Sequence, residues 1–169
     1  DLALQAIREL LVRVGDDHLR HVPSAERVAR EALAEAVAHY RQLLAEYPGH
    51  LTLRRDAGRA LTRYADVLVR NAAPEAARKH LREAIDTLGG ERTDEPPVVL
   101  VARAVAQLQF GSLLQTHGQP ELAVAHFDAA DRDLSLAAER SGDDPVQRHD
   151  VLRTRVEVVS QRTHGLDRA

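Results

Sequence analysis

The stretch GQPELAVAHFDAA, Gly118–Ala130, contains the pattern from which the fold class can be inferred. After a break in the helical pattern it places Ala123, Phe127 and Ala130 at relative positions 0, 4 and 7. This spacing puts all three side chains on one face of an α-helix. Pro120 and the glutamate after it suit a first helical turn. Proline has no amide hydrogen, and amide hydrogens in the first turn have no acceptor within the helix, so none is lost. A carboxylate at this end interacts favourably with the helix dipole. The stretch therefore predicts an amphipathic helix that begins near residue 119.

The same spacing of small and large residues occurs in two other predicted helices. In two of the three cases the helix that precedes it also carries a shared pattern, so each pair has a first and a second helix. The second helices are marked by Ala77, Leu81 and Ala84 in PEAARKHLREAIDTL and by Ala36, Tyr40 and Leu43 in AEAVAHYRQLLAEYP. In the preceding helices, Phe110, Gly111 and Leu114 precede Ala123 by 13, 12 and 9 positions, as Tyr64, Ala65 and Leu68 precede Ala77. A pair of helices therefore repeats with matched offsets.

This recurring pair resembles the tetratricopeptide repeat, whose unit is a hairpin of two helices. The family has a large and then a small residue in the first helix, and an alanine, a large residue and another alanine in the second. The matching positions are Phe110, Gly111, Leu114, Gly118, Ala123, Phe127 and Ala130; Tyr64, Ala65, Leu68, Ala77, Leu81 and Ala84; and, for half a unit, Ala36, Tyr40, Leu43 and Pro48. The resemblance covers about residues 24–140 and implies an all-α fold, a right-handed α-solenoid of antiparallel helix hairpins.

The repeats here are longer than the standard unit of about 34 residues. Ala36 and Ala77 are 41 positions apart, and Ala77 and Ala123 are 46 apart. The spacing is similar to that of the longer-helix variants in kinesin light chains and in the C-terminal arrays of bacterial signal-transduction ATPases. A single up-down helical bundle, whose alanines reflect composition alone, remains the alternative.

Helix-breaking segments divide the chain into about seven helices, with no alternation of period 2 that would indicate strands. We expect one domain over 1–169: a leading helix and loop in 1–23, repeat units in 24–140 and a capping helix in 141–169. The first residue is not methionine and the pattern is helical from the start, so we expect a segment of a longer protein. The predicted helices are 2–14, 24–46, 51–70, 74–88, 97–117, 119–140 and 145–164.

Composition narrows the functional classes. The chain has 169 residues, of which 44% are hydrophobic and 29% charged, as in folded proteins. A net charge of −3 disfavours nucleic-acid binding. We see no signal peptide and no apolar run near the ~20 residues that span a bilayer, so we expect a cytoplasmic protein without a membrane partner. The abundance of alanine, and of arginine over lysine, is typical of high-GC bacteria.

Histidines are the first candidates for metal or acid–base chemistry. His18 and His21 are three positions apart and follow two aspartates, a spacing that two metal ligands can use. No second ligand pair stands at a matching distance, so we expect no metal and assign both to a solvated loop. His39, His80 and His126 each come directly before the large residue of a repeat unit. This equivalence favours a structural role at the flank of each hairpin.

Nucleophile and phosphate-binding motifs are incomplete. Ser112 follows Gly111, but the chain lacks a G-x-S-x-G elbow, and the pattern places this serine within a helix. The glycine pair at Gly89 is followed by an acidic run and not by the sequence of a phosphate loop. The lack of cysteine excludes disulfides and zinc–thiolate sites. We therefore expect no catalytic residues, no cofactor and no enzymatic activity.

The resemblance also implies a binding surface, because the first helix of each hairpin lines the concave face in that family. The mixture of arginine, small polar and aliphatic residues there suits an extended peptide or a partner helix. Thr62 and Asp66 stand where some members carry a Lys/Asn clamp for acidic C-terminal peptides, so we do not expect that ligand. The implied binding residues are Arg59, Thr62, Asp66, Arg70, Leu108, Ser112, Gln115 and Arg153, with Val69, Val105, Thr116, Val156 and Ser160 beside them.

The sequence thus predicts a non-catalytic protein–protein interaction or regulatory scaffold module of a larger bacterial signalling protein. Its partner would be a protein or peptide, including other domains of the same chain. The alternative is a self-association or sensor domain, in which the apolar ends of the array stack on another domain or on a second copy. An enzyme is the third hypothesis. For the last helix, capping the array is favoured over membrane or nucleic-acid contact, because its arginines are interrupted by acids and lack aromatic partners.

Overall fold

The computed structural model describes residues 23–90 and 92–166, and the side chains of 26–90 and 92–162. This part of the chain is all-α and contains no strand. The predicted helix 2–14, His18 and His21 lie outside the described residues. The other six predicted helices are present, with ends within two residues of the prediction. They are α1 (Pro23–Glu46), α2 (Leu51–Arg70), α3 (Pro74–Thr87), α4 (Pro97–Thr116), α5 (Pro120–Arg140) and α6 (Pro145–Leu166).

The helices begin where the local chemistry favours a first turn. A proline is the first residue of every helix except α2. The side chain of Asp144 accepts hydrogen bonds from the backbone amides of Val146 and Gln147, at 2.9 and 3.3 Å, which caps α6. At α2, the Nδ1 atom of His50 accepts from the amide of Leu53 at 3.3 Å. Each of these six helices therefore begins with a proline, a side-chain cap or, at α6, both.

Each helix contacts the next one along the chain, from α1 to α6. Alternate helices are also in contact: α2 packs against α4, α4 packs against α6, and the Arg41–Glu83 ion pair joins α1 to α3. The helix α4 is therefore the centre of the fold, in contact with α2, α3, α5 and α6. Its composition fits this position, because 13 of its 20 residues are buried.

The residues that mark the repeat form much of the core. Leaving aside Leu43, Pro48 and Gly118, the three units have fourteen marked positions between Ala36 and Ala130. Thirteen of them are buried, and the other, Tyr64, is half-buried. Ala77, Ala84 and Ala130 have no exposed surface, and Phe127 is 2% exposed. Alanines at these positions allow neighbouring helices to approach closely, and the large residues fill the space between them.

The loop between α3 and α4 is held by arginines from three helices. Arg54 of α2 donates to the carboxylate of Glu95 at 2.6 Å and to the carbonyl of Thr87 at 3.1 Å. Arg140 of α5 donates to the carbonyl of Glu95 at 2.7 Å, and Arg103 of α4 donates to the carbonyl of residue 92 at 2.8 Å. Glu95 is only 2% exposed. This polar loop is thus built into the fold.

Candidate binding surface

A cleft of about 320 Å³ lies where α2, α4 and α6 meet. Several residues that the sequence assigned to the binding face line it together, along with two residues of α6 that were not assigned. The lining includes Asp66 and Val69 of α2, Leu108, Ser112 and Thr116 of α4, and Glu157 and Gln161 of α6. Most of the cleft is therefore formed by α2, α4 and α6, that is, by every second helix along the chain.

The polar groups of the cleft are partly used within their own helices. The hydroxyl of Ser112 donates to the carbonyl of Leu108 at 2.9 Å, and that of Thr116 donates to the carbonyl of Ser112 at 2.8 Å. Both hydroxyl oxygens keep lone pairs that can accept further hydrogen bonds. Asp66 forms an ion pair with Arg70 one turn later. The cleft thus offers hydrogen-bond acceptors between aliphatic walls.

Two arginines extend this surface toward the helix starts. Arg59 is seven positions before Asp66, and Arg153 is four before Glu157, so each shares a helix face with a residue of the cleft. Both are exposed, and neither has a carboxylate within ion-pair distance among the residues that the structure describes. We call the cleft residues, Arg59 and Arg153 together the inner face.

Arg59 is placed in a positive environment. Although it keeps a large exposed surface, the surrounding protein partly desolvates its guanidinium group, and this lowers its pKa; the charges of Arg55 and Arg63 act in the same direction. The three arginines are spaced by four residues along α2, where like charges are neighbours and oppose helix stability. Asp56 and Asp150 act in the opposite direction. The four-residue spacing of these three arginines is visible in the sequence, but Arg55 and Arg63 were not in the predicted set.

The remaining predicted residues have other surroundings. Thr62 is 4% exposed, and its hydroxyl donates to the carbonyl of Gly58 at 2.7 Å, so it is not available at the surface. Leu108 lines the cleft but is 6% exposed. Gln115 is half-buried, and Arg70 is exposed beside Asp66.

The last helix has two apolar stripes, of which one is buried. Val151 and Val158 are each 2% exposed, but Val159, the residue after Val158, is 56% exposed. Val159 instead continues an outward stripe with Leu152 and Val156, which are 64% and 69% exposed. On its other side α6 is joined to α5, because Arg155 donates to Asp131 and Ser135 at 3.0 and 2.7 Å and Arg162 pairs with Asp128. The described residues therefore leave an apolar surface uncovered on this helix.

Two of the repeat-equivalent histidines have matching aromatic partners. The His80 ring lies 4.9 Å from the Tyr64 ring, and the His126 ring lies 4.3 Å from the Phe110 ring, measured between centroids. Burial lowers the pKa of both histidines, which favours neutral rings at pH 7. His39 is exposed instead. Within the described part of the chain, no three His, Asp or Glu side chains are grouped so as to hold a metal ion.

One helix, α4, has the length and composition of a membrane-spanning segment, with a mean hydropathy of 1.4 over its most apolar window. The other helices bury 72% of that window, as expected for the core helix of a folded domain.

No protein-family model, curated protein or solved structure matches this chain.

Proposed function

We propose that this chain is a non-catalytic protein-interaction module, and that its inner face binds an extended segment or a helix of a partner protein. The observation that carries the proposal is the cleft at the junction of α2, α4 and α6, with Arg59 and Arg153 beside it. A module of this kind fits a larger bacterial signalling protein, in which the partner is another protein or another domain of the same chain.

The helix contacts support a tetratricopeptide-like array as the scaffold of this surface. In such an array α2 with α3, and α4 with α5, form hairpins, and the first helices stack side by side. The contacts of α2 with α4 and of α4 with α6 are the ones that this stacking requires. The burial of Ala77, Phe127 and their equivalents agrees with the same register. Stacked first helices produce an extended concave surface.

The charges of the inner face specify the chemistry of the partner. Arg59 and Arg153 present guanidinium groups without a paired carboxylate in the described structure, next to Arg55 and Arg63. A carboxylate on the partner would form charge-assisted hydrogen bonds with the guanidinium groups of Arg59 and Arg153. Val69, which is 40% exposed, offers an apolar contact near the cleft. The preferred partner segment therefore places acidic side chains at Arg59 and Arg153 and aliphatic side chains in the cleft, where the carboxylate of Glu157 would repel a further negative charge.

Binding of two labelled amphipathic peptides tests this proposal by fluorescence anisotropy. The peptides have the same length and the same leucines, and carry either glutamate or lysine at all other positions. We expect the glutamate peptide to bind more tightly, with an affinity that falls as salt increases. The double variant Arg59→Gln/Arg153→Gln should lose about tenfold in affinity, which corresponds to about 1.4 kcal/mol.

A matched control is Arg30→Gln, which removes an exposed arginine from α1. It should leave peptide affinity unchanged, because α1 does not contribute to the inner face. Equal affinity of the two peptides, or equal loss in the control and the double variant, would contradict the proposed surface.

Self-association is the second candidate function, and the exposed stripe of Leu152, Val156 and Val159 on α6 favours it. Exposed apolar surface of this kind is often covered by a partner. In this case the stripe would pack against another domain or a second copy of the chain.

A further inference from the structure

A second and larger cleft, of about 690 Å³, lies between α4, α5 and the loop that precedes α4. It shares no lining residue with the cleft of the inner face. Its volume falls within the range of roughly 300–1,000 Å³ that is usual for small-molecule sites. Nothing in the proposed interaction function uses it.

The cleft exists because consecutive second helices differ in length. α3 has 14 residues, whereas α5 has 21. Beyond the end of α3 the chain turns through Gly89 and Gly90, and the loop lies beside the second half of α5 in place of a helix. Small or aliphatic residues then form the apolar wall, namely Ala125, Ala129 and Leu136.

A buried arginine forms the floor of this cleft. Arg103 is 2% exposed, and its Nε and Nη2 atoms donate to the carboxylate of Asp133 at 2.8 and 2.5 Å. Its Nη1 atom is buried and has no acceptor among the residues that the structure describes. Leaving a buried donor unsatisfied costs about 1–3 kcal/mol, and more for a charged group, so such atoms mark positions where an acceptor is needed.

The neighbouring polar groups add donors. The Nδ1 atom of His126 lies 2.5 Å from the Oε1 atom of Gln107. A neutral imidazole must donate here, because an amide oxygen only accepts, so the amide nitrogen of Gln107 keeps both of its hydrogens for another partner. Burial, reinforced by the charge of Arg82, lowers the pKa of His126 and supports this neutral form.

The charged residues around the cleft determine which charge a bound ligand should carry. Asp133 is paired with Arg103, and Asp131 is paired with Arg155. The exposed cation Arg132 lines the cleft and has no ion pair with any other residue in the described part of the chain. A single negative charge is therefore favoured, whereas a doubly charged phosphate would be repelled by the two aspartates.

We infer that this cleft binds a small organic acid through its carboxylate group. The carboxylate accepts hydrogen bonds from Arg103, Gln107 and Arg132, and the aliphatic part of the acid packs against Ala125, Ala129 and Leu136. Arg103, Gln107 and Arg132 line the same cleft, and hydrogen bonds from a guanidinium group to a carboxylate are charge-assisted. The module would thus respond to a metabolite at a site separate from its protein-binding face.

Titration with butyrate, followed by NMR of the protein backbone and of the Gln107 side-chain amide, tests this inference. Butyrate should cause saturable chemical-shift changes at Gln107, His126 and their neighbours. The affinities for the neutral amide butyramide and for inorganic phosphate should be at least about tenfold lower than that for butyrate. A second titration uses Ala129→Phe, which places a large side chain at the half-buried wall of the cleft.

Butyrate should no longer shift Gln107 in Ala129→Phe, while the control Ala38→Phe on the exposed side of α1 should bind as wild type. Both variants must keep the binding of the glutamate peptide, which separates this site from the inner face. The inference is overturned by no saturable shift with butyrate, by equal affinity for butyramide, or by unchanged butyrate binding in Ala129→Phe.

Discussion

The ring of Phe127 packs so closely against the backbone of Gly111 that a Cβ atom on residue 111 would lie 2.6 Å from the ring carbon Cε1. The two residues belong to α5 and α4, the pair of helices at the centre of the fold. At the equivalent positions of the preceding hairpin stand Ala65 and Leu81. A smaller residue on one helix therefore accompanies a larger one on the other in both hairpins.

Gly111→Ala should destabilise the protein by up to about 2 kcal/mol. The added methyl group overpacks the contact with Phe127, at a cost of about 1–3 kcal/mol, and the better helix propensity of alanine offsets about 1 kcal/mol of it. Chemical denaturation followed by circular dichroism measures the change. The double variant Gly111→Ala/Phe127→Leu recreates the Ala65–Leu81 combination and should be more stable than Gly111→Ala alone. If Gly111→Ala unfolds like wild type, the close packing of α4 on α5 is wrong.

The elements of the fold were predictable because local chemistry marks them. Prolines at the helix starts, such as Pro97, and the spacing of Ala123 and Phe127 act within a few residues, and the helix limits and much of the core follow from them. The smaller cleft was predictable in part, because the resemblance implied Asp66 and Ser112 among its lining residues. The larger cleft was not predictable. It includes an ion pair between distant residues, Arg103 and Asp133, and an arginine or aspartate in a helix pattern has the same appearance whether it is buried or solvated.

Ala72→Gly should stabilise the protein by about 0.5–1 kcal/mol. Ala72 follows α2 with a φ of 54°, whereas Gly118 and Gly142 occupy the corresponding positions after α4 and α5, with φ of 73° and 53°. Alanine is strained in this left-handed conformation and glycine is not. The melting temperature measures the effect. Ala76→Gly, at an exposed position within α3, is the control and should destabilise. A lower melting temperature for Ala72→Gly would contradict the conformation assigned to residue 72.

Acid should destabilise the protein through His126. Burial and then the charge of Arg82 lower the pKa of this histidine below its ordinary value of 6.5, so the unfolded chain binds a proton at a higher pH than the folded one. The free energy of unfolding must therefore fall as the pH drops below about 7, until the pH is below the folded-state pKa. His126→Phe keeps an aromatic ring against Phe110 but removes this titration. Denaturation at a series of pH values should give a shallower slope for the variant, and identical slopes would rule out this source of acid sensitivity.

Glu95→Ala should cost about 3–5 kcal/mol, because it leaves the half-buried Arg54 without its carboxylate partner. It also removes the side chain that anchors the loop before α4. Asp94→Ala is the matched control: Asp94 is exposed and, among the described residues, its ion pair is with the exposed Arg92, so the stability should change little. Urea denaturation compares the two variants. Similar stabilities for both would show that the loop is not held by the Arg54–Glu95 pair.

The exposed stripe on α6 makes the self-association hypothesis testable. If two copies pack through Leu152, Val156 and Val159, Val156→Glu should convert a dimer to a monomer, because it places a charge at the centre of an apolar interface. Size-exclusion chromatography with light scattering measures the mass of each form. Val156 is 69% exposed, so the fold itself should tolerate the change. The control is Val146→Glu, which alters an equally exposed valine, 68% exposed, on a different side of the same helix. A wild-type protein that stays monomeric at every concentration, or a dimer that Val156→Glu leaves intact, would exclude this stripe as the interface and leave the inner face as the surface through which the module acts.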